Sequence, residues 1–296
     1  MTKPTVSVLT PLYNTPPDAL RAMIDSILSQ TFTDFEFLIL NDSPDNHTLR
    51  DIVLSYPDSR IRYLENEKNM GITYSRNHLI DIARGKYLAV VDHDDVSMPT
   101  RFALQVDFLE RNPHIGVVGG NMHEVKDGVV ISKTAFPTND NDIKLSLINE
   151  PYVCTPCHPT SMIRASVLRD NNIRYDARWS PAEDHSLWLD LIDYTCFHNL
   201  PDVVLRYVWH GENTTTRTWQ RMYDILPIMI NSARARYPIY YDVWKSRQHN
   251  KSCRKTRWIK LFGVIPFIKI KQTPRCKKVY LFGWIVLIKT NIRIQY

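Results

Sequence analysis

Glycine is scarce in this chain. There are nine in 296 residues, none in a G-x-G-x-x-G or G-x-x-x-x-G-K-[ST] arrangement, and both the dinucleotide fingerprint and the P-loop need glycine where backbone meets phosphate. That disfavours a nicotinamide enzyme and a P-loop NTPase. Long apolar runs are missing as well. A bilayer-spanning helix needs about 20 apolar residues, and the longest runs here, such as Val279 to Ile288, fall well short. The five cysteines are odd in number and scattered, with no apolar leader segment. This pattern fits a reducing compartment better than a disulfide framework and predicts an intracellular protein. The longest stretch without acid is the C-terminal one. From Lys245 to Tyr296 there are 14 Lys or Arg and no Asp or Glu, which leaves 23 basic and 31 acidic residues in the first 244. The formal +6 is therefore a body near −8 joined to a tail of +14. With 44% hydrophobic residues the composition is that of a globular protein, and the body is long enough for a full core.

What is present is alternation. Val6 to Leu9, Phe35 to Leu40, Ile61 to Leu64 and Tyr87 to Val91 predict strands, while Asp18 to Gln30, Thr48 to Tyr56 and Thr73 to Ala83 carry apolar residues at helical spacing. This β-α-β-α-β-α-β series predicts an α/β fold with a mostly parallel central sheet and helices on both faces. Each strand runs into a polar cluster: Thr10 to Asn14, Asn41 to Ser43, Asn66 to Gly71, Asp92 to Asp95. Ligands of open α/β sheets bind outside the carboxyl ends of the strands, so the four clusters should converge on one crevice. Beyond a helix at Arg101 to Arg111 and a strand at Ile115 to Val118 the alternation loosens. A short apolar stretch at Ser161 to Ile163, a helix at Glu183 to Tyr194, a strand at Val203 to Val208 and a helix at Trp219 to Arg236 are expected there.

The densest chemistry is Asp92-His93-Asp94-Asp95 behind the hydrophobic strand. Like charges this close raise one another's pKa and are costly unless a cation is present. Oxygen ligands of this kind suit Mg2+ or Mn2+ with substrate phosphates completing the coordination, which implies a phosphate-bearing substrate. Glu183-Asp184 follow Pro181 at a helix start, where the dipole favours carboxylates and where a carboxylate can also be aimed into the crevice as a general base.

Taken in order, Val6 to Asn14, Ser26 to Thr31, Asn41-Asp42, Asn69-Met70-Gly71 with Arg76-Asn77, Asp92 to Asp95, and Ala182-Glu183-Asp184 resemble the nucleotide-sugar-dependent glycosyltransferases of the GT-A fold, specifically glycosyltransferase family 2. The similarity covers roughly Thr5 to Thr216. His158 to Arg164 and Tyr207 to His210 look like the bacterial enzymes that extend lipopolysaccharide or capsule oligosaccharides. The resemblance implies inverting transfer from a nucleotide sugar, UDP-linked by preference, to an oligosaccharide or lipid-linked glycan. It places the nucleobase against Thr10, Pro11, Tyr13, Asn14 and Asp42, with Asn69 and Gly71 in the donor site. It sets Arg76 near the phosphates, where a guanidinium pairs bidentately, and Asp92 and His93 on the ribose or base side. Asp94 and His210 are the implied metal ligands, Asp184 the implied catalytic base, and Glu183 its partner in substrate binding. His158 and the lone Cys154-Thr155-Pro156-Cys157 pair receive no role. Trp188 is expected to pack in the core, with Trp179 a candidate to stack on a sugar.

The expected organisation is a catalytic domain over 1–216, a helix over 217–244 and a basic tail over 245–296 that holds the repeat Leu261-Phe262-Gly263 and Leu281-Phe282-Gly283. Lysines and Trp258, Phe262, Phe267 and Trp284 suit an anionic membrane surface; a small β-rich appendage is the plainer reading, and nucleic acid is disfavoured because no recognisable nucleic-acid motif accompanies the charge. Two other functions compete: a sugar-phosphate nucleotidyltransferase, demoted because Thr10 to Asn14 has no glycine, and a nucleotide-sugar or glycan-binding module without catalysis, opposed by the presence of both Asp94 and Asp184.

Overall fold

The computed structural model describes residues 3–210 and 214–252, with side chains over 3–210 and 217–248, and the backbone of 256–261, 265–273, 276–281 and 284–288. It divides into two compact units, 1–236 and 237–296.

The first unit is built on a sheet whose near half is parallel. Strands β1 (Val6–Leu12), β2 (Phe35–Asn41), β3 (Ile61–Glu65) and β4 (Tyr87–Val90) lie in the order β3-β2-β1-β4, with Val6 level with both Phe35 and Tyr87. Every residue of β1, β2 and β4 is buried, as strands covered on both faces require. Successive side chains take opposite faces. Val6, Val8, Phe37, Ile39, Tyr87 and Ala89 join a core with α1 (Pro17–Leu28), α2 (His47–Leu54) and α4 (Arg101–Arg111). Helix α3 (Ile72–Ile82), with Leu79 and Ile80 buried, packs against β1 and β2. The chain moves from β1 to β2 on one side and to β4 on the other, so the sheet's topological switch lies between β1 and β4, the place where such sheets open a ligand crevice.

The far half is mixed. Strand β8 (Met162–Arg164) runs antiparallel between β4 and β6 (Ile115–Lys126), and β6 runs parallel to β9 (Cys196–Trp209). A two-residue strand, β5 (Val96–Ser97), clips antiparallel to β9, and β7 (Val129–Lys133) forms a hairpin with β6. The pattern did not announce β5, β7, α5 (Asp140–Asn149), the short helix α6 (Ala165–Asp170) or the first half of β9. Helix α7 (Glu183–Leu191) and the long α8 (Thr214–Arg236) complete the unit.

The second unit consists of α9 (Pro238–Ser252) and a four-stranded antiparallel meander, β10 (Thr256–Leu261), β11 (Ile265–Thr273), β12 (Cys276–Leu281) and β13 (Trp284–Ile288). The side chains of Trp258, Phe267 and Trp284, and residues Phe262, Gly263, Phe282 and Gly283 of the repeat altogether, lie outside the described residues. No helix among the described residues is long and apolar enough to cross a membrane.

Candidate active site

The carboxyl ends of β1, β2 and β3 enclose a cavity of about 660 Å3, lined by Tyr13 and Asn14 from the first loop, Asp42 to Thr48 from the second and Glu67 to Asn69 from the third. Asn14 turns the chain with φ of +48° and donates its backbone N–H to Ser43 Oγ at 3.0 Å; asparagine tolerates that left-handed conformation better than most residues. Asp42 is buried and holds the third loop: Oδ1 accepts from Asn66 Nδ2 at 2.6 Å and from the Met70 amide at 2.8 Å, and Oδ2 from the Gly71 amide at 2.8 Å. Three of the roughly four acceptor positions of a carboxylate are thus taken by the protein. Gly71, at φ +86°, is where the loop turns into α3. Thr10 and Pro11 differ in placement from the loop residues. Both sit inside β1, with Pro11 level with Leu40, and the Thr10 hydroxyl is buried without a hydrogen-bond partner.

A second cluster is built around Arg76, which α3 carries into the interior. Its guanidinium donates to Glu183 Oε1 at 2.7 Å and to Asp92 Oδ1 at 3.1 Å, and lies 5.5 Å from the centre of the Tyr175 ring. Burial alone would drive Arg76 toward neutrality, but Asp92 and Glu183 together hold its pKa above the ordinary value. Glu183 and Asp184 open α7. Burial raises the pKa of each, and the Arg76 charge opposes the rise in both. Asp184 Oδ1 accepts from the His185 amide at 2.7 Å, and the Cys154 thiol points at Asp184 Oδ2 from 3.6 Å. Glu183 Oε2 is buried with no hydrogen-bond partner.

Two members of this cluster were given no role in the site by the sequence. Tyr175 is anchored through both its backbone groups to the Asn77 side chain at 2.9 Å, and its hydroxyl meets His158 Nε2 at 2.8 Å. Burial, then the neighbouring Arg76, push His158 down to about 3, so its ring is neutral. Cys154 reaches Asp184 across 30 residues, and only the fold reveals it. Trp188 is fully buried beside His158, in the core as expected, and Trp179 is not buried.

The acidic turn between β4 and β5 divides its labour. Asp92 faces Arg76. Asp95 is fully buried, accepts from the Val208 amide at 3.1 Å and has its pKa pushed well up by burial and by Asp94 and Asp92, so it ties the turn to β9. That tie brings the end of β9 to Asp94, whose Oδ2 meets His210 Nε2 at 2.8 Å, both side chains partly exposed. The His93 Nδ1 atom is buried without a hydrogen-bond partner. Among the described residues no three His, Cys, Asp or Glu side chains stand together as a complete metal cage. Asp94 and His210 supply one carboxylate and one imidazole at the mouth. Such a pair fits Mn2+ or Mg2+ where water and substrate phosphate complete the shell.

Comparison with known proteins places the chain in a family. Residues 7–171, more than half of the chain, match the family described as glycosyl transferase family 2. An uncharacterized glycosyltransferase of Methanocaldococcus jannaschii is 29% identical over 284 residues, 93% of this chain and 91% of that one. The Escherichia coli UDP-Glc:alpha-D-GlcNAc-diphosphoundecaprenol beta-1,3-glucosyltransferase WfgD is 31% identical over 187 residues, 63% of this chain and 69% of that one. In three dimensions, residues 1–349 of Staphylococcus aureus TarS, crystallised with UDP-GlcNAc, superpose with a TM-score of 0.62 at 20% identity, over 77% of this chain and 66% of that one. The fold is therefore GT-A, and by the match over residues 7–171 the chain belongs to glycosyl transferase family 2.

Proposed function

We propose that this family 2 transferase moves a hexose or N-acetylhexosamine from a UDP-sugar, with inversion, to a hydroxyl of a bacterial surface glycan, and that Asp184 is the base. The observation that carries the reading is the largely buried Arg76, which ion-pairs with Asp92 and with Glu183, the residue that precedes Asp184 at the start of α7. Inverting transfer needs one group to take the acceptor proton while the anomeric carbon is attacked opposite the leaving diphosphate. Burial strengthens the Asp184 carboxylate as a base by raising its pKa, and Arg76 keeps the ionised form accessible. Glu183 is pinned through Oε1, and its buried Oε2 has no hydrogen-bond partner within the protein.

The loop cavity at β1 to β3 takes the nucleobase and ribose, Tyr13 and Asn14 being the exposed lining and Asp42 the residue that fixes the wall. UDP is favoured because the WfgD name and the TarS complex both carry it. Asp94 and His210 would hold a divalent cation, Mn2+ or Mg2+, which when bound would neutralise charge developing on the departing diphosphate. The relative named for a diphosphoundecaprenol-linked sugar supports a lipid-linked acceptor, and the basic tail supports its being met at the inner membrane surface, from the cytoplasm.

The test is Asp184→Asn. UDP binding, measured by calorimetry with Mn2+, should persist while transfer falls by at least about 100-fold; transfer within a few-fold of the parent would remove Asp184 from the role of base. Asp94→Ala should weaken the metal-dependent part of UDP binding, and an unaltered metal requirement would take Asp94 out of the site.

A further inference from the structure

Three large aromatic side chains remain half exposed near Asp184 and are unused by the chemistry above. Tyr152 is 54%, Trp219 54% and Tyr223 46% exposed. They are in mutual contact: Tyr152 and Tyr223 have ring centres 4.6 Å apart and planes tilted by 36°, and Trp219 meets Tyr223 at 4.6 Å edge-on, at 84°. The group is a corner of ring faces open to solvent.

Its placement follows from the two elements that build it. Trp219 and Tyr223 stand four residues apart on α8, so they share one face. The same apolar stripe continues through Leu226, Ile230 and Ala233, which are buried. The C-terminal half of α8 is thereby docked on the body, where Arg234 also donates to the Asn149 carbonyl at 2.9 Å. In the N-terminal half of the stripe Trp219 and Tyr223 stay half exposed, and Tyr223 meets Tyr152. Tyr152 in turn precedes Cys154, whose thiol is 3.6 Å from the Asp184 carboxylate. Two residues of chain span at most about 7 Å, so one oligosaccharide can touch the platform and Asp184 together. The exposed aliphatic Ile228 falls near the opposite side of α8 from Trp219 by helical spacing, while the exposed Val153 follows Tyr152 in the chain.

We infer that Tyr152, Trp219 and Tyr223 form a stacking platform for a neutral pyranose ring of the acceptor oligosaccharide, away from the ring whose hydroxyl reacts at Asp184; this rests on the transferase reading of Asp184. A pyranose presents axial C–H bonds on its faces, and the electron-rich face of an aromatic ring attracts them, while tyrosine and tryptophan keep a polar tip for water or sugar hydroxyls. The three rings carry no charge themselves, so they read the face of a sugar ring rather than a charged substituent.

The experiment uses the full chain, with Trp219→Ala, Tyr223→Ala and the ring-preserving Trp219→Phe. Short neutral oligosaccharides ending in glucose, galactose or N-acetylglucosamine are the probes, read by saturation-transfer NMR and by tryptophan fluorescence. Stacking reads a ring face rather than a linkage, so binding by at least one member of the panel is expected. Each alanine variant should bind it about tenfold more weakly, in the range such ring contacts contribute, and Trp219→Phe should recover most of the loss. Equal affinity in parent and alanine variants, or no binding by any probe, would overturn the platform. So would a fluorescence response of Trp219 to anionic vesicles in place of the sugars, which would assign the corner to lipid. UDP titration by calorimetry reports separately on the donor site: a parent protein that binds sugars at the corner but not UDP sinks the transferase reading and leaves the stacking surface standing.

Discussion

At the scale of single residues, the cluster around Asp184 couples geometry to acidity. If Asp184 is the base, as proposed, transfer requires its ionised form, and burial lifts its pKa above the ordinary value of 3.8, so kcat/KM should rise with pH through a limb that lies higher than that value. The Cys154 thiol donates to the ionised carboxylate from 3.6 Å and so works in the other direction. Cys154→Ala should move the limb upward, and Cys154→Ser, a stronger donor, downward, each by no more than about one pH unit, since one unit corresponds to ~1.4 kcal/mol. A pH–rate profile of the three proteins checks the order of the limbs. Glu36 offers a stability counterpart remote from the crevice. It is buried and accepts from Ser7 Oγ at 2.6 Å and the Arg84 amide at 2.8 Å, with Arg62 at 2.6 Å and Arg84 at 2.7 Å as ion partners. Burial would raise its pKa, but these donors outweigh burial and hold it below the ordinary 4.5. A lowered folded-state pKa contributes stability that is present above the unfolded value and is lost as pH falls through the folded value. Glu36→Gln should therefore cost about 2–3 kcal/mol at neutral pH, the low end for a buried pair because both arginines are partly hydrated. Urea midpoints of parent and variant should converge as pH falls through the lowered folded-state value of Glu36.

At the scale of elements, the joint between β1 and the start of β4 has no spare room. A Cβ on Gly85 would stand 2.5 Å from the Ser7 amide nitrogen and 2.8 Å from Ser7 Oγ, to which the Gly85 amide already donates at 2.8 Å. The closest atom is backbone, so no rotamer relieves it. Gly85→Ala should lower unfolding free energy by about 1–3 kcal/mol, as overpacking does, read from the shift in denaturant midpoint. The elements of this half were legible because strands buried on both faces read as unbroken apolar runs and their helices as amphipathic ones. The other half obeyed different physics. In α5 the buried set includes Lys144, Ser146 and Asn149 beside Ile143 and Leu147, so no apolar stripe marks it. In β9, Pro201 and Asp202 interrupt the run; the pairing steps from Gly120 with Leu200 to Asn121 with Val203, and a bulge absorbs both residues. Strand-end carboxylates could be seen as carboxylates. Their partners could not, because Arg76 meets Glu183 across 107 residues and Asp94 meets His210 across 116, distances that only the sheet order closes.

At the scale of the whole molecule, the charge divides along the boundary between the two compact units. Residues 237–296 hold 14 basic residues and one acidic, a net +13, while residues 1–236 hold 23 basic and 30 acidic, a net −7. A catalytic unit of negative charge is repelled by anionic lipid, and attraction must come from the second unit, at about 1 kcal/mol for each Lys or Arg near the surface. Such attraction acts over the Debye length, about 10 Å at 0.1 M salt and about 3 Å at 1 M. The full chain should therefore sediment with vesicles containing anionic phospholipid at low ionic strength, lose most of the bound fraction as salt approaches molar, and bind neutral vesicles weakly throughout. The sign of the two charges makes a further demand. Adding basic residues to the exposed surface of 1–236 should strengthen vesicle binding, whereas the same number of acidic residues placed in 256–288 should abolish it. A bound fraction indifferent to salt and lipid charge would place attachment on apolar insertion instead, and the +13 would then have to serve solubility or another anionic partner.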